Sequence, residues 1–168
     1  MGKNVVIIGG VACGSKVAAR LRRLDPEAAI TVLERGYFPS YAGCGMPYFL
    51  SGVVSDYRAL TSTAIGIERD AAFFRKVKHV EMLTRHEATH IDREGRVVTA
   101  VKLETGEERR FPYDVLVLAL GAQSVRPNLP GNELKGVFSL GTLEDALEIS
   151  RALEKGAVRR AVVVGSGL

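Results

Sequence analysis

The chain has 168 residues, of which 46% are hydrophobic, and carries a formal net charge of +4 with a pI of about 9.2. This length fits one ordinary domain and the hydrophobic fraction supports a packed core, which argues against global disorder. The basic residues are spread along the sequence rather than massed in one block, so no nucleic-acid partner is expected.

The cysteine count limits the chemistry further. The two cysteines, Cys13 and Cys44, form no C-x-x-C pair, and two thiols alone are too few for a zinc site, so no metal is expected. Such cysteine usage is typical of a reducing compartment, and we expect a cytoplasmic protein. The apolar run at residues 5–8 is too short for a signal peptide or a membrane helix, so no membrane association is expected.

The first part of the chain predicts a β-turn-α-β unit. Residues 5–8 are a β-branched run that is typical of a buried parallel strand, and residues 29–34 predict a second one. Between them, residues 12–24 follow a helical period. The apolar stripe of this helix consists of Val17, Ala18, Leu21 and Leu24. The crossover between the two strands should be right-handed.

The remainder predicts a β-meander and further helices. A short helix is expected to begin near Cys44, and residues 63–76 predict another. Short strands are expected at residues 80–83, 88–91, 97–103 and 108–111, with a hairpin turn at Thr105-Gly106 between the last two. A buried strand over 114–120, an extended loop, an amphipathic helix over 142–155 capped by Thr142 and Asp145, and a buried strand over 161–164 complete the pattern.

A glycine-rich turn follows the first strand. Gly9 and Gly14 fit the first and last places of a G-x-G-x-x-G dinucleotide fingerprint, while Val11 departs from the middle place. Glu34 ends the next strand, about 20 residues after Gly14, where a carboxylate can accept a hydrogen bond from a ribose hydroxyl. The strand before and the helix after favour a pyrophosphate site. The alternative is a tight strand-to-helix turn with a surface glutamate.

Cys44 is the candidate redox residue. Glycines flank it on both sides, which leaves the sulfur open to reactants, and the start of a helix would favour its thiolate form. A thiolate attacks disulfides and can cycle between oxidation states. The alternative is a small buried core residue. Cys13 lies in the phosphate turn, where its small size is the expected requirement.

These segments together resemble the FAD-dependent pyridine nucleotide-disulfide oxidoreductases. The turn at residues 8–12, the strand end at 33–35, the segment 40–48 around Cys44 and the segment 113–122 carry the resemblance. It points to the single-cysteine branch, which contains coenzyme A-disulfide reductases, persulfide reductases, NADH oxidases and NADH peroxidases. The implied fold is α/β: a Rossmann-like FAD-binding domain with a parallel sheet and a β-meander.

The resemblance implies a cofactor site and a catalytic residue. Cys44 would attack a disulfide or persulfide sulfur while FAD supplies electrons that come from NAD(P)H. The residues implied to contact FAD are Gly9, Gly10, Val11, Ala12, Gly14, Glu34, Arg35, Ala88, Ala119, Gly121 and Ala122.

Three positions help to distinguish between the enzyme types of the family. Oxidases and peroxidases of this family carry a catalytic histidine where this chain has Ala12, which argues against oxygen or peroxide chemistry, although an NADH oxidase remains an alternative. Coenzyme A-disulfide reductases tend to place asparagine where this chain has Gly43. Relatives with two cysteines carry the second where this chain has Phe49, so an internal disulfide of that kind is excluded.

The substrate implied by the resemblance is a small disulfide, a persulfide or a coenzyme A-linked molecule. The positions that match coenzyme A-binding residues of the family are Lys16, Arg20, Arg23, Ser40 and Lys78. Cations on one helix face suit a phosphate-rich ligand. The alternative is an ordinary solvated helix face.

We further expect residues 1–156 to be the N-terminal part of the FAD-binding domain and residues 157–168 to open a truncated NAD(P)H-binding domain. The full-length family member is expected to be a homodimer. A chain of this extent alone is expected to be inactive, and an inactive nucleotide-binding fragment is the alternative function. A dehydrogenase that binds NAD at the first turn fits less well because a meander follows. His79, His86 and His90 are expected to be surface or strand residues.

Overall fold

Short β-branched runs alternate with amphipathic segments along this chain, and each type folds as its period dictates. A computed structural model describes residues 2–154, 156 and 158–165. In chain order its elements are β1 (Asn4–Ile8), α1 (Cys13–Leu24), β2 (Ala29–Glu34), a 3₁₀ turn (Gly43–Gly45), α2 (Met46–Leu50), α3 (Arg58–Thr61), α4 (Ala71–Lys78), β3 (Glu81–Thr84), β4 (His86–Asp92), β5 (Val97–Lys102), β6 (Glu107–Pro112), β7 (Val115–Leu118) and α5 (Leu143–Glu154).

A four-stranded parallel sheet with the order β3-β2-β1-β7 forms the centre of the fold. In the register of the sheet, Val5 pairs with Ile30 on one side and with Val115 on the other. One face of this sheet packs against α1 and α4 through a cluster that includes Ile7 and Phe74. Because all four strands run the same way, their carboxyl ends lie along one edge.

The antiparallel sheet β4-β5-β6 covers the opposite face. Val98 and Phe111 pack there against Ile8 and Leu33 of the parallel sheet. The meander starts at the carboxyl edge of the parallel sheet, where the backbone N–H of Arg85 donates to the carbonyl of Gly36 at 3.1 Å. The parallel sheet and the meander that the sequence predicts are both confirmed.

A third apolar cluster joins the segment after β2 to the last helix. Its buried members are Met46, Leu60, Leu143 and Ala146, with aromatic side chains packed around them. The predicted cap of α5 is confirmed: the backbone N–H of Thr142 donates to Asp145 Oδ2 at 2.9 Å, and the backbone N–H of Asp145 donates to Thr142 Oγ1 at 3.2 Å. This pair fixes where α5 begins.

The helix predicted over residues 63–76 is wrong in its first half. Helix α4 begins only after Asp70, whose Oδ1 accepts a hydrogen bond from the backbone N–H of Phe73 at 2.7 Å. The preceding residues form a turn in which Ser62 and Glu68 pair across a bridge and Gly66 has φ +80°. Asp70 is a strong N-cap residue, and the helical period alone did not reveal it.

The strand predicted over residues 161–164 is also wrong. Residues 158–165 lie outside any helix or strand, and Val162, Val163 and Val164 are 85–90% exposed. No strand in the described part of the chain lies beside them to complete a ladder. Lys155 and Gly167, which the sequence placed at a helix end and in a second glycine turn, lie outside the described residues.

Smaller differences concern single elements. Leu24 is 65% exposed, so the apolar stripe of α1 ends at Leu21. The one-turn helix α3 is too short to give a periodic signal and was not predicted. His86 and His90 lie in β4, and His79 ends α4 in the left-handed conformation with φ +51°. No helix in the described ranges combines the length and the apolarity needed to cross a membrane.

Candidate functional site

The glycine turn after β1 is held by close backbone contacts. Gly9 has φ +100°, its N–H donates to the carbonyl of Leu33 at 2.8 Å, and a Cβ on it would collide with the carbonyl oxygen of Ala119. A Cβ on Gly14 would collide with the carbonyl oxygen of Gly9. Both positions therefore require glycine so that β1, the turn and α1 can pack closely.

The N-terminus of α1 opens from this turn without a side-chain cap. The N-cap residue is Ala12, and the first turn contains no acidic residue. The hydroxyl of Ser15 instead donates back to the carbonyl oxygens of Val11 and, at 3.3 Å, Ala12. The free N–H groups and the helix dipole at this end suit an anion such as a pyrophosphate.

Glu34 ties two backbone turns together at the same edge. The residue is 9% exposed, and its Oε2 accepts from the N–H of Gly10 at 2.6 Å. Its Oε1 accepts from the N–H of Gly36 at 2.7 Å. A buried carboxylate satisfied in this way is part of the scaffold. Each oxygen can accept a further hydrogen bond, so the structural role leaves room for a ligand hydroxyl.

The Cys44 segment is fastened to the glycine turn. The N–H of Ser40, which has φ +53°, donates to the carbonyl of Gly10 at 3.0 Å. Further along, the N–H of Ala42 donates to the carbonyl of Leu60 at 2.9 Å. Cys44 itself is exposed in the 3₁₀ turn that precedes α2. A buried-core role for this cysteine is therefore ruled out.

The two glycines beside Cys44 differ in what the structure requires of them. A Cβ on Gly45 would collide with a terminal methyl group of the buried Leu60, which would have to shift within its packed cluster. A Cβ on Gly43 would find only Tyr41 Cε2, at 3.9 Å, which is an ordinary van der Waals contact. Gly45 is thus needed for packing, whereas Gly43 leaves open space beside the thiol.

The other residues predicted to contact FAD lie along the carboxyl edge of the parallel sheet or next to it. Ala119 follows β7, and its N–H donates to the carbonyl of Ile8 at 2.8 Å beside the glycine turn. Gly121, with φ +68°, and Ala122 are exposed in the loop that follows. Ala88 is half-buried in β4, and Arg35 is exposed with its Nη1 3.7 Å from Glu87 Oε1.

A family model described as "Pyridine nucleotide-disulphide oxidoreductase" matches residues 3–168. The chain belongs to this family. The match includes every element of the described fold, from β1 to α5.

The chain is similar to two curated proteins and one solved structure that carry the names of disulfide or persulfide reductases. A coenzyme A disulfide reductase of Staphylococcus haemolyticus is 31% identical over 165 residues, which cover 98% of this chain and 36% of that protein. An NAD(P)H coenzyme A polysulfide/persulfide reductase of Pyrococcus horikoshii is 34% identical over 167 residues, which cover 99% of this chain and 35% of that protein. The structure of an NAD-dependent persulfide reductase from A. fulgidus superposes with a TM-score of 0.87 at 42% sequence identity. The superposition covers 91% of this chain and 28% of that chain. The chain spans about a third of the length of these curated relatives.

The cations of α1 divide into two groups in this family member. Lys16, Arg20 and Arg23 are exposed, and no ion pair or side-chain hydrogen bond among the described residues engages them. Arg22, which sequence reasoning passed over, donates from Nη2 to the carbonyl oxygen of His79 at 2.8 Å and from Nη1 to that of Pro26 at 2.6 Å. The first group is free to meet a ligand, whereas Arg22 holds the chain together.

Arg22 also brings the predicted lysine close to α1. Its contact with the His79 carbonyl fastens the end of α4 to α1, and Lys78 is the neighbouring residue. The Lys78 Nζ lies 5.5 Å from the centroid of the Phe73 ring. The end of α4, with Lys78 next to His79, therefore lies beside α1 at Arg22.

Tyr41 is another residue of the Cys44 segment that the sequence did not single out. Burial raises the pKa of Tyr41 from 10.0 to about 12, and the negative charge of Glu144 adds to the effect. Glu144 Oε1 also accepts from the backbone N–H of Tyr37 at 2.8 Å. These contacts link the Cys44 segment to the start of α5.

A cavity of about 630 Å³ lies between α5, the segment that precedes Ser40 and the loop before α4. Its wall includes Phe38, Asp70, Leu147 and Arg151, and none of the predicted site residues line it. Within the described ranges, no group of three His, Cys, Asp or Glu side chains is placed to hold a metal ion. The candidate site is thus the edge formed by the glycine turn, Glu34 and the Cys44 segment.

Proposed function

We propose that the whole protein is a flavin-dependent oxidoreductase that passes electrons from NAD(P)H, through Cys44, to a disulfide, persulfide or coenzyme A-disulfide. The observation that carries this proposal is the exposed Cys44 in a segment hydrogen-bonded to the glycine turn by Ser40 and Gly10. Membership of the family and the names of the relatives support it.

The residues at the carboxyl edge fit FAD. The uncapped α1 N-terminus would receive the pyrophosphate, since its N–H groups lack a side-chain acceptor and the glycines at positions 9, 10 and 14 carry no side chains that could block the approach. The second lone pairs of the Glu34 carboxylate would accept from the adenosine ribose. Arg35 and the backbone around Ala88 would border the adenosine. The loop that holds Ala119, Gly121 and Ala122 would lie along the cofactor.

Cys44 supplies the sulfur chemistry in this proposal. Its thiolate attacks one sulfur of a disulfide, forming a Cys44–substrate disulfide and releasing the other half as a thiolate. FAD, when bound, supplies the two electrons that NAD(P)H provides. Those two electrons and one proton cleave the mixed disulfide, release the second half as a thiol and restore the Cys44 thiolate. The exposure of Cys44 gives a substrate room to approach.

The charged face of α1 supports a phosphate-bearing substrate. Lys16, Arg20 and Arg23 are exposed cations on α1, Lys78 adjoins the residue that Arg22 of α1 holds, and Ser40 donates to the glycine turn that leads into α1. Coenzyme A would satisfy such a set because its phosphates attract several cations at once. The NAD(P)H site and a homodimer belong to the proposal for the whole protein.

Two measurements on the purified chain test this proposal. We expect a flavin absorption spectrum to remain after incubation with FAD and removal of free FAD on a desalting column. We also expect Cys44 to form mixed disulfides with coenzyme A disulfide, quantified by mass spectrometry of its peptide, with the peptide of Cys13 as an internal comparison. A Cys44 that forms no mixed disulfide with coenzyme A disulfide would contradict the proposal and favour a fragment without catalytic function, whereas a colourless protein would mean that this part of the protein does not hold FAD by itself.

A further inference from the structure

Gly43 immediately precedes Cys44, and neither its backbone nor its packing requires a glycine. Its φ lies outside the left-handed range, so other residues can adopt the same conformation. Among the described residues beyond its own chain neighbours, a Cβ on Gly43 would meet only Tyr41 Cε2, at 3.9 Å. Glycine at such a position costs stability, because it enlarges the conformational entropy of the unfolded chain. What Gly43 supplies instead is open space next to the thiol.

Two backbone hydrogen bonds fix the turn that contains this space. The N–H of Gly45 donates to the carbonyl of Ala42 at 2.9 Å, which closes the 3₁₀ turn around Cys44. The N–H of Ala42 donates to the carbonyl of the buried Leu60, also at 2.9 Å. The protein itself therefore determines how Gly43 and Cys44 are presented to a substrate.

The two neighbours of Cys44 offer a substrate different amounts of room. A Cβ on Gly45 would collide with a terminal methyl group of Leu60, so Gly45 faces the apolar cluster beneath the turn. Met46, the residue after Gly45, is buried in the same cluster. A substrate group attached to the Cys44 sulfur therefore finds its room on the side of Gly43.

The chemistry of thiol–disulfide exchange determines what this room has to hold. The Cys44 thiolate attacks one sulfur of the substrate, the S–S bond of the substrate breaks, and the other half leaves as a thiolate. The attacked sulfur stays on the protein with the group that it carries, about 2 Å from the Sγ of Cys44. Since the Cα atoms of adjacent residues are only about 3.8 Å apart, that group lies within reach of any side chain at position 43.

We propose that Gly43 is a specificity-determining residue that lets Cys44 form mixed disulfides with branched, cysteine-derived thiols. In such thiols, of which glutathione is an example, the second carbon from the sulfur carries both a nitrogen and a carbonyl carbon. The chain of coenzyme A is unbranched at that carbon. A side chain at position 43 would compete with the branch for the same space. This inference rests on the proposed function and names a substrate class for the same thiol.

A competition between two disulfides at Cys44 tests the inference. The purified chain reacts with an equal mixture of glutathione disulfide and hydroxyethyl disulfide, and mass spectrometry of the Cys44 peptide gives the initial ratio of the two adducts. This ratio does not depend on the thiolate fraction of Cys44, because both disulfides compete for the same thiolate. High salt suppresses the attraction between the charges of glutathione and the basic chain. We expect the wild-type ratio to match that of the chain unfolded in urea.

Side chains at position 43 should lower the ratio of glutathione adduct to hydroxyethyl adduct in the order of their size. We expect a fall of about five- to tenfold in Gly43→Val and a smaller one in Gly43→Ala. The ratio of coenzyme A adduct to hydroxyethyl adduct, measured in the same way, should change less. The matched control is Ala72→Val, which places the same side chain at an exposed position of α4 and should leave both ratios unchanged.

The possible results separate this inference from the proposed function. An unchanged ratio in Gly43→Val and Gly43→Ala would overturn the inference, as would a native wild-type ratio well below that of the unfolded chain. Loss of bound FAD from Gly43→Val with an unchanged ratio would also overturn it, since the space would then belong to the cofactor. Gly43→Ala makes only ordinary contacts and keeps the test valid if Gly43→Val does not fold. A wild-type Cys44 that reacts with none of the disulfides would overturn the proposed function as well.

Discussion

The Glu34 carboxylate accepts a hydrogen bond from the backbone N–H of Gly10 at 2.6 Å, across the edge of the parallel sheet. Its other oxygen accepts from the N–H of Gly36 at 2.7 Å. One side chain thus fixes both the glycine turn and the start of the segment that leads to Cys44. The geometry of the candidate cofactor site therefore depends on Glu34 before any ligand is bound.

Replacing Glu34 should destabilise the protein itself. In Glu34→Ala the two N–H groups lose their acceptor in a buried or partly buried environment, and we expect the free energy of unfolding to fall by about 2–4 kcal/mol. Glu34→Gln keeps one acceptor oxygen and should lose about half as much. Urea unfolding followed by circular dichroism measures both.

The control for Glu34 is Glu87→Ala. Glu87 meets Arg35 at 3.7 Å in an exposed ion pair, so its removal should change the free energy of unfolding by less than about 1 kcal/mol. Equal stabilities of Glu34→Ala and Glu87→Ala would show that the buried carboxylate is not a structural tie.

The glycines beside Cys44 should respond oppositely to alanine. Gly45→Ala forces a methyl group against the buried Leu60 side chain, and we expect a loss of about 1–3 kcal/mol in the free energy of unfolding. Gly43→Ala meets only ordinary contact, and the lower entropy of the unfolded chain should leave stability unchanged or raise it by up to about 1 kcal/mol. Chemical denaturation measures the free energy of unfolding of the two variants in parallel. A similar loss of stability in both variants would contradict the proposed difference in packing.

The sequence predicted most of the fold because its signals are local. The β-branched runs and the glycine turn define the β-α-β unit, and β2 spans the residues predicted for it, Ala29–Glu34. The prediction failed where a helix cap overrides the helical period, and where a strand needs a neighbouring strand to pair with. Asp70 delays the start of α4, and residues 161–164 find no described strand to pair with.

The candidate site was predictable to a smaller degree. The glycine spacing and the glycine-flanked Cys44 can be read along the chain, and the structure brings their segments together through Ser40 and Gly10. By contrast, the roles of Arg22 and Arg20 cannot be told apart in sequence. Only the folded chain places the carbonyl of His79 within reach of Arg22.

Charge reversal on α1 should weaken coenzyme A binding without unfolding the protein. Arg20 and Arg23 are exposed and have no partner among the described residues, so Arg20→Glu/Arg23→Glu should leave the free energy of unfolding nearly unchanged. If the face binds phosphates, we expect the Kd for coenzyme A to rise at least about tenfold and its salt dependence to flatten. Isothermal titration at two ionic strengths measures this.

Two comparisons make the charge-reversal result specific. Arg93→Glu/Arg110→Glu makes the same change of charge at exposed positions of the meander and should leave the Kd nearly unchanged. Arg22→Ala should instead lower the free energy of unfolding by about 1–3 kcal/mol, because the carbonyl oxygens of Pro26, Ala28 and His79 would lose their hydrogen-bond donor. Equal coenzyme A affinities for the wild type and Arg20→Glu/Arg23→Glu would favour an ordinary solvated helix face.

The stability of the Cys44 segment should depend on pH through Tyr41. Burial raises the pKa of Tyr41 from 10.0 to about 12, so the fold favours the neutral phenol. The unfolded chain releases this proton first as the pH rises, and stability that is fully present below about pH 10 is therefore lost towards about pH 12. Tyr41→Phe cannot ionise, and its melting temperature should fall less than that of the wild type over this range. Tyr48→Phe, at a side chain that is 58% exposed, should follow the wild type. Parallel curves for the wild type and Tyr41→Phe would mean that Tyr41 ionises as readily in the folded protein as in the unfolded chain.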